Sequence, residues 1–262
     1  MFRWTKAVIS LFPTLIAGIA KINKYSKKKD KYDYDVRYHH LSKLANKVSK
    51  GLGVVFDLEG LENLPKDTKY CMLSNHLSSY DPLAMLAVLD EPTTFVSKKE
   101  VQKLIIIPNA IKSIDGLFMD RDDLKQSLKV MLHVQSDLKE GNKNWIIYPE
   151  GTRLHDSLKL VGEFHQGTFR APMKANVPII PVVIYGTNRV LKLKPEFKKY
   201  VISISILKPI YPSEYQDMST SELAEITHSR IQQELTYNVR IRNHKLMVKY
   251  NKKRKYKFDQ II

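Results

Sequence analysis

Tyr70-Cys71-Met72-Leu73-Ser74-Asn75-His76-Leu77-Ser78-Ser79-Tyr80-Asp81-Pro82-Leu83 is the stretch whose reading decides the fold. It opens with an apolar segment of strand length, and the apolar run from Leu83 to Leu89 can form a helix. A strand that stops at a polar turn and restarts as a helix places that turn at the carboxyl edge of a sheet. Open α/β proteins bind their ligands there. Pro82 suits the first helical position, which makes Asp81 the expected N-cap. His76 lies five residues earlier in the same turn. It can donate a ring N–H to the Asp81 carboxylate, leaving its other nitrogen as a base that faces solvent or substrate.

Outward from this turn the chain reads as strands and helices in alternation. Strands are expected near 53–58, 69–74, 93–97, 113–119, 144–148, 179–185 and 200–207, and helices near 82–89, 99–106, 122–139, 168–175 and 220–236. In the 122–139 segment Leu124, Leu128, Met131, Leu132, Gln135 and Leu138 follow a helical period, and Gly141 ends it. Ser219-Thr220-Ser221-Glu222 has the form of a capping box. Such alternation predicts an α/β fold, with a largely parallel mixed sheet of about seven strands flanked by helices. We divide the chain into an N-terminal helical membrane-binding element (1–50), an α/β domain (51–236) and a basic C-terminal tail (237–262).

With 262 residues, 43% of them hydrophobic, the chain is long enough for a substantial core. One cysteine, Cys71, rules out an intramolecular disulfide and suggests a reducing compartment. Its place inside a strand makes it a core residue rather than a nucleophile.

The net charge of +16 is carried by the flanks. Residues 1–50 hold 12 Lys and Arg against 3 acids, and 236–262 hold 9 against 1, whereas the body between them has 22 basic and 23 acidic residues. An anionic membrane surface or a nucleic acid would satisfy such ends. Val8–Ala20 is an apolar run interrupted by Pro13 and shorter than the ~20 residues of a spanning helix. A secretory signal competes for this segment. The following lysines, 21, 24, 27, 28, 29 and 31, favour cytosolic retention instead. With Trp4 and Tyr25 flanking the run, it reads as an interfacial anchor on the cytoplasmic face of a membrane, peripheral or monotopic; a buried core helix is the alternative. His39 and His40, in a helix expected over 35–50, read as surface residues. The tail interleaves Tyr250, Tyr256 and Phe258 with basic residues from Arg240 to Lys257. That pattern serves a membrane-surface clamp or single-stranded nucleic acid, or has no partner at all.

Three further groups fall at strand ends. Gly116-Leu117-Phe118-Met119-Asp120-Arg121 puts Arg121 at the sheet edge. Tyr148-Pro149-Glu150-Gly151-Thr152-Arg153 follows an apolar strand, and Val177-Pro178-Ile179-Ile180-Pro181 leads into another. Two arginines and a threonine beside a glycine turn can hold a phosphate; each group alone is ordinary turn chemistry. Ser78 and Ser79 lack the Gly-x-Ser-x-Gly elbow of a hydrolase. His133, His155, His165, His228 and His244 lack the spacing of a zinc motif, so no metal is expected.

In this order Asn75-His76-x-x-x-x-Asp81, Gly116-x-Phe118-x-Asp120-Arg121, Glu150-Gly151-Thr152-Arg153 and Pro178-x-x-Pro181 closely resemble the glycerolipid acyltransferase family, above all its members acting on 1-acylglycerol-3-phosphate. Ser97-Lys98-Lys99-Glu100 and Phe164-His165-Gln166-Gly167-Thr168-Phe169-Arg170 add to the likeness, which covers about residues 50–210. The family usually has lysine where His165 stands, and often isoleucine in place of Met119.

The resemblance implies direct acyl transfer with no cofactor. His76 would be the general base on the free hydroxyl of 1-acyl-sn-glycerol-3-phosphate, and Asp81 would hold the imidazole. Arg121, Glu150, Gly151, Thr152 and Arg153 would bind the acceptor's phosphate, and Pro181 would serve donor binding or site shape. The partners so implied are lysophosphatidic acid, an acyl-carrier protein or coenzyme A thioester, and an anionic membrane, with no nucleic acid. Glycerol-3-phosphate or another lysophospholipid is the rival acceptor. A basic nucleic-acid-binding protein with a structural His–Asp turn is the rival of another class.

Overall fold

The computed structural model describes residues 2–153, 160–192 and 197–251, with side chains from Phe12 onward in the first helix. The tail residues from Lys252 on, His155 and the side chains of Arg3, Trp4 and Lys6 lie outside the described residues. In chain order the elements are α1 (Phe2–Lys27), α2 (Tyr34–Gly51), β1 (Val54–Glu59), β2 (Cys71–Ser74), α3 (Asp81–Val88), β3 (Thr93–Lys98), α4 (Ile107–Ser113), β4 (Leu117–Met119), α5 (Leu124–Lys139), β5 (Asn144–Ile147), α6 (Arg170–Ala175), β6 (Ile179–Tyr185), β7 (Tyr200–Ile206), α7 (Pro212–Tyr215), α8 (Thr220–Glu234) and α9 (Arg240–Tyr250).

The seven strands form one mixed sheet in the order β1-β7-β6-β2-β5-β3-β4, parallel except where β6 meets β7. β2, β5 and β6 are buried along nearly their whole length because helices cover both faces of the sheet. This is why they read as continuous apolar runs rather than as alternating patterns. One core joins Ile22, Tyr38, Leu41, Met72, Met85 and Ile180, bringing α1, α2 and α3 onto one face. On the other face Val134, Leu138, Trp145, Phe169 and Leu223 join α5, α6 and α8. Burial pushes the Cys71 thiol far above its ordinary range, as expected of a core residue.

The expected α/β sheet and the Ser219–Glu222 capping box are both present. Three local readings are corrected. The helix expected over 99–106 is a short 3₁₀ turn (Lys99–Lys103), and the α-helix starts only at Ile107. Pro108 accounts for this, since proline fits the first turn of a helix and breaks an interior. The strand expected over 113–119 is consequently limited to Leu117–Met119. The helical period of α5 is present, with Leu138 of the periodic set buried and Met131 packed against the core. Val130, Val134 and Leu138 are buried, whereas Leu124, Leu128 and Leu132 face solvent. The helix expected to end near 236 continues through a π turn (Leu235–Val239) into α9. There Asn243 donates to Val201 O and Ser203 Oγ, and Arg242 pairs with Asp57 and Glu59. Two arginines of the basic flank, Arg240 and Arg242, thus pack into the body; Arg240 is buried.

The C-terminal half of α1 packs on α2, where Gly18 lies so close to Leu44 that a Cβ would meet its side chain at 2.8 Å. His40 belongs to this contact rather than to the surface. Its Nε2 lies 3.2 Å from Gly18 O and its ring stands edge-on to Tyr25. His39 is exposed as expected. Among the described residues no helix is long and apolar enough to cross a membrane.

Candidate active site

β2 lies between β5 and β6, and the connections leaving the neighbours β2 and β5 part to opposite faces of the sheet, α3 to one and α6 to the other. The register Cys71↔Trp145 and Leu73↔Ile147 brings the residues that follow β2 and β5 out side by side at the carboxyl edge. Ligand crevices of open α/β sheets lie at this kind of switch point. Asn75 fixes the end of β2: its Nδ2 donates to Ile184 O at 3.0 Å and its Oδ1 accepts from Ile184 N at 2.8 Å. A side-chain amide here replaces one backbone step of the β2–β6 ladder, so the chain can leave the sheet without orphaning β6.

The turn then folds around Asp81, which is wholly buried. Its Oδ2 accepts from His76 Nδ1 at 2.7 Å and from the backbone N–H groups of Leu77 and Ser78, each at 2.8 Å. Tyr80 occupies the N-cap position and Asp81 is the first helical residue, with Pro82 next. The expected N-cap role of Asp81 is therefore corrected. Its carboxylate turns back into the preceding loop instead of capping α3, because three N–H groups converge on it there. Among the described residues Asp81 Oδ1 has no hydrogen-bond partner.

His76 is held on three sides. Asp81 takes Nδ1. The ring stacks on buried Tyr148, with centroids 4.3 Å apart at 26°. Its backbone N–H donates to Glu150 Oε1 at 2.9 Å. The described residues offer its Nε2 no hydrogen-bond partner, and the side chain keeps 17% of its surface in solvent. An imidazole held at Nδ1 by a carboxylate, with a free Nε2, has the arrangement of a general base.

Glu150, expected with the phosphate-binding residues, is buried and turned inward toward the His76 backbone and Gly162, where a Cβ would meet its Oε2 at 2.7 Å. Burial pushes its carboxyl up to about 7, against the pull of the His76 and Gly162 amides, with nearby Asp81 adding to the rise. Its neighbours in the motif point the other way. Gly151 has φ +69°, and a Cβ there would meet the His165 ring at 2.9 Å and Arg121 Cζ at 3.9 Å. Arg121, from the loop after β4, and His165, from the segment before α6, thus converge on this glycine from distant parts of the chain. Thr152 and Arg153 are exposed, and Arg153 Nη1 donates to Ser79 Oγ at 3.2 Å, which ties the second arginine to the His76 turn. Ser78 accepts from Tyr80 N and donates its own N–H to Asp81, leaving both serines in structural bonds.

Pro181 is buried within β6, paired with Leu73, so it shapes the strand beneath the turn. Its missing N–H falls where β6 passes from the isolated Ile179↔Ile210 bridge to its ladder with β7. Among the described residues no group of three or more His, Cys, Asp or Glu side chains is arranged to hold a metal ion.

Tyr148, Asn75 and His165 had no role assigned from sequence. For Asn75 the signal was its position at a strand end, where an amide can mimic a peptide group. The stacking of Tyr148 and the approach of His165 depend on strand order and left no sequence signal.

The acyltransferase family matches residues 55–185, half of the chain. Among curated proteins, a Mycoplasma pneumoniae protein named "Probable 1-acyl-sn-glycerol-3-phosphate acyltransferase" is 26% identical over 232 residues, which is 84% of this chain and 85% of that protein. The 1-acyl-sn-glycerol-3-phosphate acyltransferase of Saccharomyces cerevisiae is 27% identical over 190 residues, 72% of this chain and 60% of its own length. The crystal structure of the 1-acyl-sn-glycerophosphate (LPA) acyltransferase from Thermotoga maritima superposes with a TM-score of 0.67, covering 87% of this chain and 90% of that one. At 20% identity that likeness is one of fold. The chain belongs to the acyltransferase family, and it is an O-acyltransferase.

Proposed function

We propose that the chain transfers a fatty acyl group from an acyl thioester to the free hydroxyl of 1-acyl-sn-glycerol-3-phosphate, making phosphatidic acid in phospholipid biosynthesis. The observation that carries this reading is the His76–Asp81 contact at 2.7 Å, with Nε2 unpartnered among the described residues, Arg153 bonded to Ser79 of the same turn and Arg121 beside Gly151. The names of the relatives point to the same acceptor.

In this reading Nε2 of His76 takes the hydroxyl proton as the acceptor oxygen attacks the thioester carbonyl carbon. The tetrahedral adduct expels the thiolate, which recovers that proton from the imidazolium. Asp81 keeps Nδ1 protonated and stabilises the transient charge. Arg121 and Arg153 hold the acceptor's phosphate, with Gly151 allowing close backbone approach and Thr152 offering a hydroxyl. Glu150 positions the His76 backbone, and Pro181 sets the shape of the floor. The donor is an acyl-carrier protein or coenzyme A thioester. The acceptor is drawn from the cytoplasmic face of an anionic membrane, to which the N-terminal element binds.

The test is an assay with lysophosphatidic acid and labelled acyl donors of both kinds, with glycerol-3-phosphate supplied in parallel and His76→Ala alongside. Phosphatidic acid from the parent and a loss of at least about a hundredfold in the variant are expected. Acylation of glycerol-3-phosphate alone would overturn the choice of acceptor, and equal product from His76→Ala would overturn the base.

A further inference from the structure

Between the 3₁₀ turn at Lys99–Lys103 and the first turn of α4, four consecutive aliphatic residues face solvent. Ile105 is 93% exposed, and Leu104, Ile106 and Ile107 lie between 41 and 49%. A soluble surface scatters its apolar side chains; a contiguous run of this kind marks an interaction site. The loop lies at the catalytic edge of the sheet, because β3 delivers it there and α4 then runs back so that β4 can start parallel to β3.

The partner of this loop is indicated by α1, which lies against α4. Asn109 Nδ2 donates to Asn23 Oδ1 at 2.8 Å, and Lys29 Nζ donates to Asp115 Oδ1 at 2.8 Å. Both pairs are 86 residues apart, so the two segments advance in the same direction and in step. The part of α1 that precedes Asn23 therefore heads to the same edge as the loop. It carries Ile16 and Phe12, which are 54 and 57% exposed. Exposed apolar side chains from two distant stretches of sequence thus lie at one edge. Lys103 is exposed beside it, and Lys98 and Lys99 at the start of the 3₁₀ turn are half-exposed, paired with Glu100 and Asp120. Aliphatic side chains with lysines at their border fit the headgroup boundary of an anionic bilayer, where the chains enter the acyl layer and the ammonium groups meet phosphates.

We propose that Leu104–Ile107 is a second membrane-insertion element, which together with the exposed face of α1 seats the catalytic edge on an anionic bilayer. This rests on the reading of the acceptor as a membrane lipid, but it is tested by binding alone, without turnover. Failure of the acyl-transfer assay would therefore leave its outcome distinct.

The experiment uses the full chain with vesicles of phosphatidylglycerol or of phosphatidylcholine, and no substrate. Ile105→Asp should weaken cosedimentation with phosphatidylglycerol vesicles about tenfold. The substitution is at a site exposed enough to leave the fold intact. In a second variant, Ile105→Trp, emission should shift to the blue when phosphatidylglycerol vesicles are added, relative to the parent with its own two tryptophans. Parent-like cosedimentation of Ile105→Asp overturns the proposal, as does unshifted emission of Ile105→Trp. A blue shift that follows protein concentration without vesicles, with dimers on sizing, also overturns it and makes the loop a contact between copies of this chain.

Discussion

Replacing Asp81 with asparagine separates the charge of this side chain from its hydrogen bonding. In the native turn Oδ2 accepts from His76 Nδ1, Leu77 N and Ser78 N at 2.7–2.8 Å. An asparagine carbonyl can stand in the same place and accept from all three. Its NH₂ then falls where Oδ1 lies buried without a partner among the described residues, at a cost of about 1–2 kcal/mol for an unsatisfied donor. For a protein of this size that corresponds to roughly 2–8 °C in Tm. The turn and the imidazole orientation survive, but the negative charge facing the imidazolium is gone. Opposite charges about 4 Å apart attract by about 1 kcal/mol in bulk water and about 4 kcal/mol near a protein surface. Since the imidazolium exists only as the acceptor is deprotonated, the loss falls on the barrier and lowers kcat by about 5- to 1,000-fold. The acceptor's phosphate contacts are untouched, so KM should stay within about twofold. Initial rates of phosphatidic acid formation at saturating donor, paired with thermal denaturation, measure both effects. If Asp81→Asn keeps kcat within about twofold of the parent while its Tm drops as expected, the pairing positions the turn and has no part in the chemistry.

Two further substitutions probe the same edge. The Glu150 carboxyl is pushed up to about 7 from an ordinary 4.5, so the folded state holds its proton across a window in which the unfolded chain has lost it. Its contribution to stability therefore falls as pH rises from about 4.5 to about 7, by about 3 kcal/mol in all. Glu150→Gln does not titrate and should gain that amount on the parent between pH 4 and pH 8; denaturant unfolding at the two pH values that gives the same difference at both would count against a buried, proton-retaining Glu150. Gly151→Ala should lose about 1–2 kcal/mol through its left-handed φ of +69° and raise KM for the phosphorylated acceptor, because its Cβ displaces His165 beside Arg121. An unchanged KM would separate this glycine from phosphate binding.

What the amino-acid sequence determined by itself is local. A four-residue apolar strand, a turn of Ser, Asn and Asp, and a proline in the first helical turn specify strand, turn and helix within fourteen residues. The five-residue spacing brings His76 and Asp81 into contact inside a single turn. The alternation of elements likewise specified the class of sheet, because side-chain period and turn chemistry act over a few residues. Tertiary structure decided where the buried polar atoms found partners. Glu150 reaches the His76 N–H only because β5 pairs with β2, and that pairing joins residues 74 positions apart. Nothing local distinguishes a glutamate bound for phosphate from one that supports a backbone amide. For the same reason the period of α5 did not tell that Leu124, Leu128 and Leu132 face water, and Arg242 was assigned to a basic tail although it packs on β1 and β7. Period tells which residues share a face. Which face is covered depends on the burial gained by every element that packs there, and that sum exists only once the chain has folded.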